Sequence, residues 1–167
     1  MILKKLREFL DSHNIKYVAI SHSQAFTSED IALAAHLPGK ELAKTVMVKI
    51  DDKITMTVVP GSDMVSFKLL KRCIGASKIE LANETEFKDL FPECEIGAMP
   101  PFGNLYNIEV LVAERLTEDE EIAFNAGSHR ELIKMSYKDF EQLVKPKVMN
   151  FSVRKRAPSD DHWSYEM

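Results

Sequence analysis

AKTVMVKIDDKITMTVVPG, residues 43 to 61, carries the strongest strand signal in the chain. Two runs of β-branched and apolar residues flank the pair Asp51-Asp52, and Pro60-Gly61 ends the second run. Strand-forming runs on either side of a two-residue polar turn predict a β-hairpin. We therefore take this hairpin as the centre of the sheet and place the other elements around it.

Lys44 stands at the beginning of the first strand of this hairpin. Because side chains alternate between the two faces of a strand, Lys44 shares a face with Val46, Val48 and Ile50, which are all apolar. Two outcomes are open at this point. Either the lysine points into a concave mouth at the end of the sheet, or its ammonium group reaches solvent from the strand end.

Short helices and strands alternate along the rest of the chain. Helical spacing and N-cap residues predict helices over residues 2–12, 28–36, 64–74, 84–91 and 137–144. Strand patterns cover residues 15–20, 78–81, 107–113, 122–124 and 131–135. Two hairpin-like pairings imply a mixed sheet. We expect a single α+β domain in which a curled, barrel-like mixed β-sheet is surrounded by short helices.

The composition fits one globular domain of 167 residues, with 45% hydrophobic and 29% charged residues. The net charge of −4 argues against a protein that coats nucleic acid nonspecifically, but it permits a local basic patch that grips an RNA end. No apolar run is long enough to span a bilayer, so we expect a cytoplasmic protein without a membrane partner.

The sequence gives no pattern for a metal or a cofactor. Cys73 and Cys94 are far apart, and the five histidines lack zinc-ligand spacing, so we predict reduced thiols and no metal site. Motifs for a serine elbow, a P-loop, a dinucleotide fold or a Cys-x-x-Cys pair are also missing. We therefore predict no cofactor.

Gly97-Ala98-Met99-Pro100-Pro101-Phe102-Gly103 predicts a rigid loop. Proline fixes φ, whereas glycine permits φ values that other residues avoid, so the centre is stiff and both ends bend sharply. The backbone N–H groups of Ala98, Met99, Phe102 and Gly103 could then face a ligand as an oxyanion or phosphate cradle. The alternative is a rigid connection between secondary-structure elements.

Three segments, in this order and at these intervals, resemble the YbaK / prolyl-tRNA synthetase-associated domain family of aminoacyl-tRNA deacylases. The matching segments are AKTV at residues 43–46, GAMPPFG at residues 97–103 and FNAGSHR at residues 124–130. The resemblance covers roughly residues 1 to 146. We therefore expect a deacylase-like domain over residues 1–148 and a C-terminal tail over residues 149–167, poorly ordered or docked on a partner, whose role the resemblance leaves open.

The resemblance implies hydrolysis of the ester that joins a mischarged amino acid to the 3′ end of a tRNA. Lys44 would hold the phosphate of the terminal adenosine or the ester carbonyl. The loop from Gly97 to Pro101, which includes Ala98 and Met99, would lend backbone N–H groups to the carbonyl oxygen, and each such donor typically contributes about 3 kcal/mol. Water would attack with help from the substrate's own ribose hydroxyl or, for a cysteine ester, its thiol.

A second set of residues would surround the substrate. They are Thr27, Met47, Phe102, Gly103, Gly127, Ser128 and His129. For several of them a structural role stays open: Thr27 as a helix cap, His129 as a satisfied polar residue, and Met47 and Phe102 as core residues.

The expected function is trans-editing of a small amino acid, for example alanine or cysteine on tRNA-Pro. The expected partners are an aminoacylated tRNA 3′ end and an aminoacyl-tRNA synthetase, with no DNA partner. Two alternatives use the same fold: a non-catalytic module that binds tRNA or a synthetase, and a sensor of a small free ligand. A basic rim beside Lys44, drawn from Lys40, Lys68, Lys71 and Arg72, would favour the tRNA functions, and its absence would favour the small-ligand sensor.

Overall fold

The central hairpin forms as the sequence predicts in a computed structural model, which describes residues 2–155. Ala43–Ile50 pairs antiparallel with Lys53–Pro60, and Lys44 lies opposite Val59. Asp51 and Asp52 have φ values of 48° and 69°, the left-handed conformation that a tight two-residue hairpin turn requires.

The other elements follow the predicted order. The helices are α1 Lys4–Ser12, α2 Ser28–Ala34, α3 Phe67–Ile74, α4 Glu84–Phe87 and α5 Tyr137–Val144. The strands are β1 Tyr17–Ser21, β2 Ala43–Ile50, β3 Lys53–Pro60, β4 Asp63–Val65, β5 Ile79–Leu81, β6 Val110–Ala113, β7 Glu121–Asn125, β8 Glu131–Ser136, β9 Lys147–Met149 and β10 Ser152–Arg154. Short 3₁₀ helices occupy Gly39–Glu41, Lys88–Leu90, Gly103–Tyr106 and Glu114–Glu118.

The largest sheet has the strand order β5-β2-β3-β6-β9. Its β2–β3 and β2–β5 pairs are antiparallel, whereas β3–β6 and β6–β9 are parallel, so the predicted mixed sheet in an α+β domain is confirmed. A second sheet has the order β1-β8-β7, and a single bridge between Leu42 and Ala123 joins it to the start of β2. Within residues 2–155 the strands do not close into a barrel.

Both faces of the β2–β3 hairpin are buried. One face packs with an aromatic cluster against α1 and α5, and this core includes Met47, Met56, Val58, Phe102, Phe124 and Phe140. The other face packs against α3, with a core that includes Val46, Val48, Val59, Phe67, Leu70 and Phe151. The alternation of β2 therefore sends Lys44 and Met47 to opposite sides of the sheet.

Helix α3 begins later than its apolar spacing predicts. Met64 and Val65 belong to β4, which pairs antiparallel with β10 near the end of the chain. Ser66 then caps α3, because its side chain accepts a hydrogen bond from the backbone N–H of Leu69 at 3.2 Å. The long-range partner of β4 explains why local spacing alone misplaced this boundary.

Part of the predicted C-terminal tail is ordered on the domain. Strand β9 extends the large sheet beside β6, and β10 pairs with β4. Residues 149–155 therefore pack on the fold, contrary to the expected poorly ordered or partner-docked tail. Residues 156–167, which include Asp160, Asp161, Trp163 and Tyr165, lie outside the described residues.

Residues 2–155 contain no helix that is both long and apolar enough to cross a membrane. In the same part of the chain, no three His, Cys, Asp or Glu side chains are grouped so that they could hold a metal ion.

Substitution of Gly103 by alanine should destabilise the fold. A Cβ atom there would lie 2.6 Å from the backbone oxygen of Ile108 and 2.7 Å from Cγ2 of Val110. Such overpacking costs about 1–3 kcal/mol in free energy of unfolding. Urea denaturation of Gly103→Ala should show this loss, whereas the control Gly39→Ala, whose Cβ would meet only Ser62 Cβ at 4.0 Å, should stay near wild type. Equal midpoints for the two variants would contradict the packing argument.

Candidate functional site

A cleft of about 340 Å³ lies between the start of β2, helix α2, the β5–α4 connection and the Gly97 loop. Most of its lining is apolar, from Phe26, Ile31, Leu42, Ala43, Val46, Met47, Leu81, Ala82, Phe87, Ile96 and Met99. Lys44 and Glu84 are its charged lining residues within the described chain. Such a pocket suits a small, partly apolar ligand that also carries charge.

Lys44 is half-buried at the beginning of β2, on the side of the cleft. Its Nζ donates a hydrogen bond to the backbone oxygen of Asp63 at 3.0 Å. Burial, followed by the nearby charge of Lys155, lowers the pKa of Lys44 to about 8. The structure therefore favours the first of the two outcomes for Lys44: the lysine does not extend freely into solvent.

Lys155, which follows β10, shares the surroundings of Lys44. Its backbone N–H donates to the oxygen of Ser62 at 3.0 Å, and its Nζ lies 2.7 Å from Oε1 of Glu29 at the start of α2. The hydrogen bond from Lys155 is the main cause of a lowered pKa of Glu29, and the charge of Lys44 adds to it. Two ammonium groups and one carboxylate therefore form one electrostatic group.

Asp63 of β4 connects this group to neighbouring segments of the chain by hydrogen bonds. Its side chain is fully buried, and its Oδ2 accepts hydrogen bonds from Arg115 Nε at 2.6 Å and from Ser152 Oγ at 2.8 Å. Its backbone oxygen accepts from Lys44. One residue of β4 thus joins Lys44, the segment after β6 and the strand β10.

The Gly97 loop is joined to the bend at Gly127 by backbone hydrogen bonds. The N–H of Gly127 donates to the oxygen of Ala98 at 3.0 Å, and the N–H of Glu95 donates to the oxygen of Gly127 at 2.8 Å. The N–H of Ala98 donates to the oxygen of Glu95 at 3.0 Å, so this group is already occupied, contrary to the expectation that it faces a ligand. The N–H of Gly97 donates to the sulfur of Met99 at 3.3 Å, a weak acceptor.

His129 stands behind the wall of the cleft. Its Nδ1 lies 2.8 Å from Oε2 of Glu95, its ring packs on Phe26 with centroids 4.6 Å apart, and its Nε2 faces Gly97. The hydrogen bond from His129 is the main cause of a lowered pKa of Glu95. Since Gly97 and Phe26 line the cleft and His129 does not, the histidine supports two wall residues from outside.

A family model of the aminoacyl-tRNA editing domain matches residues 22–143, which is most of the chain. The chain belongs to the aminoacyl-tRNA editing domain family. The matched region contains Lys44, the Gly97 loop and the bend at Gly127, so all three segments of the resemblance lie in the editing domain.

Proline–tRNA ligases match over a shorter region of the chain. The proline–tRNA ligases of Bacillus cereus (strain AH187) and Bacillus mycoides (strain KBAB4) are each 30% identical to this chain over 83 residues, which are 50% of this chain and 14% of the ligase. The chain thus corresponds to a small part of these ligases.

Solved structures share the fold over nearly the whole chain. One, described as a "putative trans-editing enzyme for prolyl tRNA synthetase", has a TM-score of 0.75 and 19% identity and covers 92% of this chain and 96% of its own. Another, described as a hypothetical protein, has a TM-score of 0.79 and 19% identity and covers 90% and 100%. These similarities establish the fold of the editing domain.

The structure brings four of the sequence-predicted residues to one cleft. Lys44 and Met47 line it from opposite faces of β2, and Gly97 and Met99 line it from the loop. Of the other eight, Ala98 and Pro101 are buried within the loop, and Ser128 contacts Glu131 and Arg130. None of the eight is among the residues that line the cleft in the described chain.

Phe102 does not fit the predicted role of setting pocket size. Its ring is fully buried and packs on Phe9, Phe124 and Phe140 in the core. Gly103 is likewise a site of tight packing, as described above for its missing Cβ.

Thr27 and Gly127 also have structural surroundings. Thr27 caps α2, since its side chain accepts from the N–H of Asp30 at 3.1 Å. Gly127 has a φ of 103°, and a Cβ atom there would lie 3.1 Å from Cβ of Leu3.

Sequence reasoning missed the group of Glu29, Asp63 and Lys155. Its one available signal was the basic triplet at residues 154–156, which left open both contact with an RNA backbone and a solvated tail, the commoner case. The basic rim expected from Lys40, Lys68, Lys71 and Arg72 does not line the cleft. The cation beside Lys44 is instead Lys155, which directly follows β10.

Replacement of Lys155 by methionine should raise the pKa of Lys44 from about 8, because a neighbouring positive charge disappears while the aliphatic stem stays. The Lys44 titration can be followed by NMR of its Cε with labelled lysine. Glu29→Gln should lower the pKa of Lys44 further, since Glu29 favours the charged form. A Lys44 pKa that is unchanged in both variants would contradict the proposed electrostatic group.

Proposed function

We propose that this editing domain hydrolyses the ester bond of a mischarged aminoacyl-tRNA. The observation that carries the proposal is the half-buried Lys44, which lines a small cleft among mostly apolar residues and whose Nζ donates to the backbone oxygen of Asp63. The charge suits the phosphate or carbonyl of the 3′ end, whereas the apolar walls suit an amino-acid side chain. Membership of the editing domain family supports the same substrate class.

The substrate's amino-acid part would lie between Met47, Ile31 and Phe87, the apolar lining from three different elements. Glu84, at the first position of α4, would supply a negative charge for the substrate's α-ammonium group. A cleft of about 340 Å³ favours a small amino acid. Since one methylene changes binding by only about 1–3 kcal/mol, volume is the natural basis of selection here.

The oxyanion that forms during water attack would be held by the Gly97 end of the loop. The N–H of Gly97 has only a sulfur as its acceptor among the described residues, whereas the N–H of Ala98 already donates to Glu95. A donor that exchanges a weak acceptor for an oxyanion gains more than one that must break a good hydrogen bond. We therefore assign Gly97, not Ala98, as the main backbone donor, with Met99 and Pro101 shaping the loop.

The attacking water would be assisted by the substrate. The lining residues of the cleft in the described chain include no histidine and no cysteine, and Ser28, the first residue of α2, therefore has no histidine partner among them. A ribose hydroxyl or a substrate thiol beside the ester can accept a hydrogen bond from the attacking water and pass a proton to the ribose oxygen that leaves. The protein then contributes orientation and charge stabilisation.

Because proline–tRNA ligases are among the relatives, the first substrate to test is tRNA-Pro that has been charged in error with alanine or cysteine. The same relationship suggests a synthetase partner and action in the cytoplasm, where translation takes place. Editing by a separate chain would then occur in trans.

Purified protein should cleave one or two esters from a panel of tRNAs that carry alanine, cysteine, serine or proline. Lys44→Ala should lower kcat/KM by at least about 100-fold, since it removes a charged contact to the reacting end of the substrate. The control Lys53→Ala, an exposed lysine of the same hairpin, should leave the rate unchanged. Binding of tRNA without cleavage would support a binding module instead, and neither binding nor cleavage would support a small-ligand sensor.

Binding of uncharged tRNA should weaken as the pH rises through about 8, because the positive form of Lys44 is lost above its pKa. Affinity measured at pH 7 and pH 9 should differ by up to about tenfold. Lys44→Arg stays charged over this range and should remove the dependence. A wild-type affinity that is constant from pH 7 to pH 9 would show that Lys44 makes no charged contact with the RNA.

A further inference from the structure

Lys155, which follows strand β10 and lies outside the editing-domain match, is a second lysine close to Lys44. The family match ends at residue 143, whereas Arg154 of β10 pairs with Asp63 of β4, and Lys155 hydrogen-bonds to Ser62. Its backbone is therefore tied to the same turn region that holds Lys44. The side chain retains about 30% of its accessible surface, so a ligand can reach it.

This group carries an excess of positive charge. Lys44 and Lys155 share their surroundings with two carboxylates, those of Glu29 and Asp63. Asp63 is close by, but its carboxylate oxygen Oδ2 is already bound by Arg115 and Ser152. The Arg115 guanidinium offsets the charge of Asp63, which leaves two ammonium groups beside the single carboxylate of Glu29. This excess of positive charge favours an added anion.

The Lys155–Glu29 ion pair is poised to exchange its acceptor. The side chain of Glu29 is 65% exposed, and ion pairs at such exposed positions contribute little to stability. A phosphate oxygen can take the place of the Glu29 carboxylate without exposing a buried charge. Glu29 thus keeps Lys155 in place while no ligand is bound.

We propose that Lys155 and Lys44 together form a clamp for a backbone phosphate at the single-stranded 3′ end of an RNA. The proposal rests on the proposed function, since it takes aminoacyl-tRNA as the substrate. Lys44 lines the cleft and Lys155 does not, so the ester lies inside the cleft and the phosphate lies just outside it. Lys155 is a substrate-binding residue that the chain adds to the editing domain by means of β10.

Three variants separate this clamp from a structural ion pair. Lys155→Met should weaken tRNA binding about tenfold, as expected for loss of a charged hydrogen bond, and should act mainly on KM. It should also reduce the slope of log affinity against log salt by about 0.7. Lys155→Arg should restore binding. Arg154→Met, a change at the exposed neighbouring position of β10, is the matched control and should behave as wild type.

Glu29→Gln gives the sharpest contrast. If Lys155 binds phosphate, loss of the competing carboxylate should tighten tRNA binding at pH 6, where Lys44 stays charged, so Glu29→Gln and Lys155→Met act in opposite directions. If the ion pair only fastens β10 to α2, both variants should weaken binding and lower the thermal midpoint together. The second result would overturn the proposal.

Small esters locate the phosphate. Wild type should prefer an aminoacyl ester of adenosine 5′-phosphate over the same ester of adenosine, and Lys155→Met should lose this preference. Two results together would overturn the assignment of the phosphate beside the terminal adenosine. Wild type would show no preference between the two esters, and inorganic phosphate would inhibit wild type and Lys155→Met equally.

Failure of the deacylase function gives a different pattern. If wild type cleaves no ester but binds tRNA, opposite effects of Lys155→Met and Glu29→Gln on affinity still support the clamp. If wild type binds no tRNA, the clamp is overturned, because its ligand is an RNA phosphate.

Discussion

The buried carboxylate of Asp63 is the interaction on which the arrangement of the site depends. It lies on β4, accepts hydrogen bonds from Arg115 and Ser152 through Oδ2, and presents its backbone oxygen to Lys44. A fully buried carboxylate is costly unless it is paired and hydrogen-bonded, so its partners are held in defined positions. Through this one residue, the strand that ends the described chain is coupled to the lysine that begins β2.

The opposite wall of the cleft is fixed by hydrogen bonds between two loops. Glu95 receives the backbone N–H and the ring Nδ1 of His129, and backbone bonds join Gly127 to Glu95 and to Ala98. Prolines limit the freedom of the loop beyond Met99, and the buried ring of Phe102 anchors it in the core. A wall built in this way does not need to become ordered when a ligand binds, and this lowers the cost of binding.

The positive charge of Lys44 lowers the free energy of unfolding at neutral pH. Its pKa is about 8 in the folded protein and about 10.5 without its surroundings, so the unfolded chain binds more protons between these values. The free energy of unfolding therefore rises as the pH increases from about 8 to 10.5, and Lys44 disfavours folding at neutral pH. A titratable group that is kept in a cleft against stability, beside a second cation, is typical of a functional site.

The sequence by itself determined what depends on local physics. The β2–β3 hairpin, the cap of α2 by Thr27 and the bounds of α5 after Ser136 follow from alternation, turn residues and side-chain capping, which involve near neighbours in the chain. The three segments of the family resemblance were also visible as residues. Tertiary structure alone decided that Phe102 packs in the core, that the N–H of Ala98 is occupied, and that Lys155 lies beside Lys44. Lys155 and Lys44 are 111 positions apart in the sequence, and only the pairing of β10 with β4 brings them together. No local pattern records such a pairing, because its energy comes from contacts that exist only once the chain has folded.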